Sequence, residues 1–383
     1  MKEQRIAGPL IRLQRLQHNW SQETLCHGIC AVSYLSKIEQ GKVEANEQLL
    51  AELFDRLGVV WKESAEINHL RDELYEGIFS WNDKFISQKM KLLEEKWDQL
   101  SIGPCYVDFA VIRAFHYRKP EWVSKELEPL LEPRQRALLA ILRDQNEDAY
   151  QVYPCPLTAL CIGEEAFHKG NYTLALEYSQ MAYDQAAREG YAHLMMFSQH
   201  FMAASYSDMG NLDAMYRHSQ IAVRLGYALG EDDVVNVIHY NIAATKAEYG
   251  DYDGAYAYFS TLEKPDVPAL HKLAVCCEAL GKKEEALDAL NRAENLESEF
   301  PLKEEICGLV RYRLEHPDYL HDLTYGDLLM STYKKIYKEL PSGFARFHLR
   351  WVTEWLTANR QYRKAFEILQ SFPQNKNLGL LNP

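Results

Sequence analysis

A run of short and polar side chains between residues 32 and 42 is the part of this sequence whose spacing best suits binding chemistry. Offsets of one, three and four residues place these side chains side by side on one face of a helix. The face consists of Val32, Ser33, Ser36, Lys37 and Gln40. It carries one lysine and no acid, and Lys42 follows it directly. Such a face suits entry into the major groove of DNA.

Two short helices joined by a tight turn must position that face, and the segment Ser21–Gly41 predicts both. Ser21 can cap the first helix, in which Leu25 and Ile29 lie four residues apart on one apolar face. The second helix begins near residue 31 or 32. It ends at Gly41, a residue suited to the left-handed position that follows a helix.

The same segment resembles the helix-turn-helix of the Cro/C1 (XRE-like) repressor family over about the first 60 residues. The resemblance rests on YLSKIEQGK, which begins at residue 34, and LLAELFDRLGV, which begins at residue 49. It implies that Arg15 and Glu39 tie the first helix of the domain to the recognition helix. Combining the family positions with the helix face gives the predicted DNA-contacting residues: Gln22, Val32, Ser33, Ser36, Lys37, Gln40 and Lys42.

Composition indicates an ordinary globular protein with room for two or more domains. Of its 383 residues, 47% are hydrophobic and 25% are charged. No apolar run approaches the ~20 residues needed to span a bilayer, and the N-terminus lacks the apolar core of a signal peptide. We therefore expect a cytoplasmic protein. The eight cysteines are scattered without metal-ligand spacing, which predicts small core residues and no metal site.

The formal charge of −13 is distributed unevenly along the chain. Basic and acidic residues balance within residues 1–60, so the whole acidic excess lies beyond them. Residues 1–60 are called the head here, and the acidic remainder of the chain is called the body. The negative charge of the body repels DNA and so confines contact with DNA to the head. A neutral head also implies modest affinity per copy, because phosphate contacts supply most non-specific binding. This favours a homodimer on a near-palindromic operator.

An internal repeat defines the architecture of the rest of the chain. Similar stretches begin at Gly170, Gly210 and Gly250, which are 40 residues apart, and related ones begin at Gly281 and Arg360. Small residues five after and seven before most of these anchors allow two helices of a hairpin to approach closely, with a glycine turn between them. Weaker matches around residues 81 and 118 extend the pattern upstream, and an irregular pair is expected between residues 300 and 342.

These stretches look like tetratricopeptide (TPR) helix pairs lengthened to about 40 residues, which stack into a right-handed α-solenoid. Since no strand-like alternation is present, we predict an all-α fold. The predicted domains are a helix-turn-helix domain (1–62), a helical connector (63–100), a TPR-like domain for peptide binding and dimerisation (101–373) and a tail (374–383).

The repeat register places the first helix of each pair on the concave wall of the solenoid. The residues predicted to bind a peptide there are Asn241, His200, Tyr240, Asn236, Lys246 and Lys272, and His271 and Val275 share the predicted wall. An asparagine can donate to and accept from a peptide backbone, and a lysine can receive a terminal carboxylate. The alternative is structural: Asn241 bridges neighbouring helices and Tyr240 belongs to the core.

No catalytic motif is present: the sequence contains no P-loop, GxGxxG, HExxH or GxSxG pattern, so we predict no enzyme and no cofactor. An XRE-like head, a helical connector and a TPR-like body together resemble the RRNPP family, peptide-pheromone-responsive regulators of Gram-positive bacteria. The resemblance implies quorum sensing, in which a short signalling peptide changes the DNA-binding state of a dimer. Two alternatives remain: a TPR regulator that docks a protein partner, and a phage lysis–lysogeny switch of the same architecture.

Overall fold

The computed structural model describes residues 2–59, 61, 64–100, 103–340 and 342–371, and within these ranges every regular element is helical. The all-α prediction is therefore confirmed. The chain divides into two compact units, Met1–Met202 and Ala203–Pro383. The predicted domain boundaries stay a prediction, and the predicted tail lies outside the described residues.

Four short helices form the N-terminal head: α1 (Lys2–Gln17), α2 (Gln22–Cys26), α3 (Val32–Glu39) and α4 (Glu47–Arg56). The Ser21 hydroxyl accepts a hydrogen bond from the Thr24 amide at 3.0 Å, which confirms the predicted cap. The first helix of the motif is shorter than predicted. It ends at Cys26 because Gly28 turns the chain with φ at +74°, so Ile29 lies in the turn.

The remaining helices of the first unit follow as hairpins. They are α5 (Ala65–Ser80), α6 (Asp83–Glu95), α7 (Trp97–Leu100), α8 (Tyr106–Tyr117), α9 (Pro133–Leu142), α10 (Asn146–Val152), α11 (Pro156–His168), α12 (Tyr172–Glu189) and α13 (Ala192–Asp208), which continues into the second unit. Two short 3-10 helices, Pro120–Trp122 and Glu128–Leu130, connect α8 to α9. Apolar side chains from Ala7 to Leu194 share one core in this unit.

The second unit contains nine further helices, one short 3-10 helix (Tyr319–His321) and a core of its own among the described residues. The helices are α14 (Leu212–Leu229), α15 (Asp232–Glu248), α16 (Tyr252–Phe259), α17 (Val267–Ala279), α18 (Lys283–Asn295), α19 (Lys303–Glu315), α20 (Leu323–Glu339), α21 (Ser342–Ala358) and α22 (Tyr362–Ser371). Helices α19 and α20 pack together as the irregular pair expected between residues 300 and 342.

Left-handed residues mark the hairpin turns at the predicted anchors. Gly170, Gly210, Gly250 and Gly281 all have φ between +73° and +89°, and Arg360 has φ at +57°. Trp81 and Arg118, where the repeat pattern was weak, adopt the same conformation at +58° and +57°. The turn geometry is therefore kept even where the sequence lacks the glycine that usually favours it.

The close packing of α11 against α12 explains the small residue predicted seven positions before the turn glycine, Gly163. A Cβ atom at Gly163 would lie 2.9 Å from the Ser179 Oγ and 3.3 Å from the carbonyl oxygen of Ala175. Helices α11 and α12 approach too closely there for a larger side chain. This confirms the close approach inferred for the hairpin.

Candidate functional site

Helix α3 presents an exposed polar face while its other face is buried in the head. Leu35 and Ile38 are 0% and 2% exposed, and Leu25 of α2 is fully buried near them. The predicted contact residues Val32, Ser33, Lys37, Gln40 and Lys42 are all exposed. The structure thus places these side chains where DNA could reach them.

Two of the predicted contact residues are linked to each other. The Gln40 side-chain amide donates to the Ser36 hydroxyl at 3.1 Å, and Ser36 is half-buried. A hydrogen bond between residues four apart orders both side chains on the helix surface. Of the predicted contact residues within α3, Val32, Ser33 and Lys37 are exposed.

A buried ion pair ties α1 to α3, as the family resemblance implied. Arg15 Nε lies 2.6 Å from Glu39 Oε1, and Arg15 Nη2 lies 3.0 Å from Glu39 Oε2, a two-point pairing. Arg15 Nη1 also donates to the carbonyl oxygen of Trp20 at 2.7 Å. The hydrogen bond to Glu39 raises the pKa of Arg15. The pair fixes the angle at which α3 is presented.

Gln22 belongs to the same network. Its side-chain amide donates to Glu39 Oε2 at 2.8 Å, and the residue is half-buried. That amide nitrogen therefore holds the recognition helix in place. The amide nitrogen keeps a second hydrogen that can donate to a base or a phosphate, whereas the side-chain oxygen of Gln22 can only accept from a base.

Sequence reasoning missed Gly8, which sets the spacing between α1 and α3. A Cβ atom at Gly8 would overlap the carbonyl oxygen of Ile38. Only glycine allows the two helices to cross this closely. The available signal was a glycine inside an amphipathic helix, which usually marks a close backbone approach.

In the second unit, the predicted peptide-binding residues that are exposed lie on α15. Asn236 and Asn241 are exposed on this helix. Tyr240 is half-buried, and its ring meets the Phe259 ring edge-on at 5.5 Å. Burial raises the pKa of Tyr240. Tyr240 thus packs inside the hairpin, which is the structural alternative, whereas the two asparagines are exposed.

Two further predicted residues have other surroundings. Lys246 is half-buried and pairs with Asp251 at 3.5 Å, so its charge is partly compensated within the hairpin. His200 belongs to the first unit and is half-buried, and burial lowers its pKa to about 4. Its imidazole is therefore neutral at physiological pH.

The prediction that His271, Lys272 and Val275 line an open wall is wrong. These residues of α17 are 0%, 5% and 3% exposed. Helix α21 covers the first two: Lys272 Nζ lies 4.2 Å from the ring centre of Phe347, and the His271 ring lies 5.2 Å from the His348 ring. The chain's own helix occupies the place predicted for a ligand.

Arg346 joins α21 to two helices of the covered surface. It pairs with Asp208 at the end of α13 and with Glu248 of α15, where its Nε lies 2.7 Å from the Glu248 carboxylate. Asp208 and Glu248 are equivalent in the repeat, because each stands two residues before its turn glycine. The sequence therefore carried a signal for this acidic pair, although nothing local identified Arg346 as its partner.

Within the described ranges, no group of three or more histidine, cysteine, aspartate or glutamate side chains could hold a metal ion. In the same part of the chain, no helix is long and apolar enough to cross a membrane. The predictions of no metal, no cofactor and no catalysis remain predictions.

The head and the hairpins together define a helix-turn-helix protein with a helical-repeat body, and the comparisons agree. Residues 11–60 match the helix-turn-helix family HTH_3. The fold is similar to the apo form of the quorum sensor NprR from B. thuringiensis, at 16% identity and a TM-score of 0.56. That match covers 80% of this chain and 97% of the other.

A second similar structure is that of NprR in complex with its cognate peptide NprX. It is 16% identical, with a TM-score of 0.47, and the match covers 81% of this chain and 100% of the other. No curated protein matches the sequence.

Proposed function

We propose that this protein is a transcription regulator of the RRNPP type, in which α3 reads DNA and the body binds a short signalling peptide. The observation that carries the proposal is the exposed face of α3 on a head locked by Arg15 and Glu39. A helix-turn-helix places its second helix in the major groove, so a face of this kind has access to base edges.

The peptide half of the proposal rests on the body. The chain has the fold of NprR, which is a quorum sensor, and we transfer that role as a proposal. Asn236 and Asn241 are the best-placed residues for it, because both are exposed amides on α15. Such amides bind the backbone of an extended ligand irrespective of its side chains.

The protein acts as a homodimer on a near-palindromic operator in this proposal. The head has no net charge, so one copy neutralises few phosphates, and two linked heads bind far more tightly than one. Peptide binding changes the dimer's DNA-binding state only if the peptide favours one of two arrangements.

The proposed DNA binding is tested by measuring the affinity of the protein for the DNA upstream of its own gene. Replacing Ser33 and Lys37 with alanine should lower the ratio of specific to non-specific affinity by about tenfold or more, since each base contact is worth ~1–3 kcal/mol. Lys91→Ala, an exposed lysine of α6, is the matched control and should change little. Retained selectivity in the double variant would contradict the assignment of α3.

The test of the peptide half adds short synthetic peptides encoded by adjacent small reading frames to the same assay. We expect one peptide to change the mobility or affinity of the DNA complex. If no peptide alters binding while the DNA half holds, the proposed effector is wrong and the regulator assignment stands. Absence of any DNA complex would favour a protein-docking role for the body instead.

A further inference from the structure

A separate pocket lies in the first unit, between α7, α8 and the short helix Pro120–Trp122. Its volume is about 180 Å³, and it is lined by Trp97, Tyr106, Ala110, Arg113 and Trp122. An apolar protein cavity of about 150 Å³ is large enough to hold benzene. The pocket therefore has room for one aromatic ring.

Arg113 provides the polar group of this pocket. Its guanidinium carbon lies 4.4 Å from the Trp97 ring centre and 4.5 Å from the Trp122 ring centre, within the range of a cation–π contact with both indoles. Its Nε donates to Glu94 Oε1 at 2.7 Å. Among the described residues, the terminal amino groups of Arg113 and the hydroxyl of Tyr106 have no hydrogen-bond partner.

The position of Arg113 in the pocket favours an anionic ligand over a cationic one. Arg113 lies over one face of each indole, and its positive charge disfavours a cationic ligand in the pocket. A carboxylate, by contrast, can accept two parallel hydrogen bonds from the free terminal amino groups. The nearby Glu94 carboxylate repels such an anion, so the affinity of a ligand this small is expected in the millimolar range.

We propose that this pocket binds a ligand in which a carboxylate is attached to an aromatic ring. The ring fills the space beside Trp97 and Trp122, and the carboxylate pairs with Arg113. Two sources share this chemistry: a free aromatic acid, and the C-terminus of a peptide that ends in an aromatic residue. The site goes beyond the proposed peptide response of the body and does not depend on it.

The first experiment measures binding to the full-length protein by ligand-observed nuclear magnetic resonance. Phenylacetate is compared with phenylacetamide, and N-acetyl-Gly-Gly-Phe is compared with its C-terminal amide. Each acid should bind about tenfold tighter than its amide or better, because only the acid gains the charged pairing. The tighter of the two acids identifies the source. Equal binding of acid and amide in both pairs, or no saturation at millimolar concentration, would overturn the proposal.

Two substitutions should change the affinity for phenylacetate in opposite directions. Arg113→Gln should weaken phenylacetate binding by about tenfold or more, and Glu94→Gln should tighten it by about threefold, because the repelling charge is removed. Arg143→Gln is the matched control: it breaks the Arg143–Glu128 ion pair, also 2.7 Å, which does not line the pocket. Circular dichroism confirms that each variant is folded. An unchanged affinity for Glu94→Gln would overturn the assignment of Arg113.

Discussion

Asn241 and Lys272 occupy the same position of the repeat, nine residues before the turn glycines Gly250 and Gly281. Asn241 is exposed on α15, whereas Lys272 on α17 is 5% exposed. The two helices belong to successive hairpins with the same turn geometry. Equivalent positions in a repeat can therefore have opposite access to a ligand.

Helix α21 makes the difference. Its Phe344 and Phe347 lie 5.0 Å and 4.2 Å from Lys272 Nζ, and its Arg346 pairs with Glu248 near the end of α15. The repeat register determines which way a side chain points from its own hairpin. A helix more than 60 residues further along the chain determines whether that direction is open.

The largest expected effect comes from Arg346→Ala, which removes the cation that Asp208 and Glu248 share. Both carboxylates are less than one-fifth exposed, so removing this partner should lower the free energy of unfolding by about 3 kcal/mol. The measurement is urea denaturation followed by tryptophan fluorescence. The variant should also speed the reaction of Lys272 with an amine-specific reagent, read by mass spectrometry.

The matched control for that variant is Arg363→Ala. Arg363 pairs with Glu367 at 2.8 Å on α22 but is 92% exposed. Exposed ion pairs contribute little, so the change should stay within about 0.5 kcal/mol. Similar losses in the two variants would contradict the view that the half-buried ion pairs of Arg346 hold α21 in place.

Lys272→Met tests whether Lys272 is buried, because a buried lysine makes the free energy of unfolding depend on pH. Burial lowers the pKa of Lys272 to about 8, although the charge of Glu248 opposes the shift. Between that value and the ordinary lysine pKa of about 10.4, the unfolded chain binds more protons than the folded one. The contribution of Lys272 to unfolding free energy therefore rises with pH across this window, by up to ~3 kcal/mol.

The methionine variant has no such titration, so its stability relative to wild type should fall as pH is raised from 7.5 to 9.5. Urea denaturation at each pH measures the difference, and tyrosine titration cancels between the two proteins. A constant difference across this range would show that Lys272 is more solvated than its surroundings indicate.

The smallest effect on stability is expected for Asn241→Ala, on the open side of the comparison. An exposed helix residue without a buried partner should change the free energy of unfolding by less than about 0.5 kcal/mol. The response of the DNA complex to peptide should nevertheless be lost. Asn295→Ala, another exposed asparagine of the same unit, should retain the response. An unchanged response in Asn241→Ala would assign Asn241 to the structural alternative.

The features that could be predicted from the sequence are mostly those that depend on contacts between residues close in the chain. Ser21 caps α2 within one turn, and Leu35 and Ile38 recur at helical spacing on α3. The Arg15–Glu39 pair spans 24 residues, and the family resemblance rather than periodicity predicted it. The hairpin turns followed from glycine spacing, because left-handed backbone is costly for most other residues.

Local sequence patterns were enough to specify the helices, their turns, the exposed face of α3 and the register of the repeat. Which repeat positions are open to a ligand depends instead on contacts between residues far apart in the chain. Arg346 lies 138 residues from Asp208 and 98 from Glu248, and no local pattern specifies partners at that distance. Helix periodicity requires only that an apolar face be covered. Which helix covers it follows from the packing of the whole unit, and that packing closed Lys272 and left Asn241 exposed.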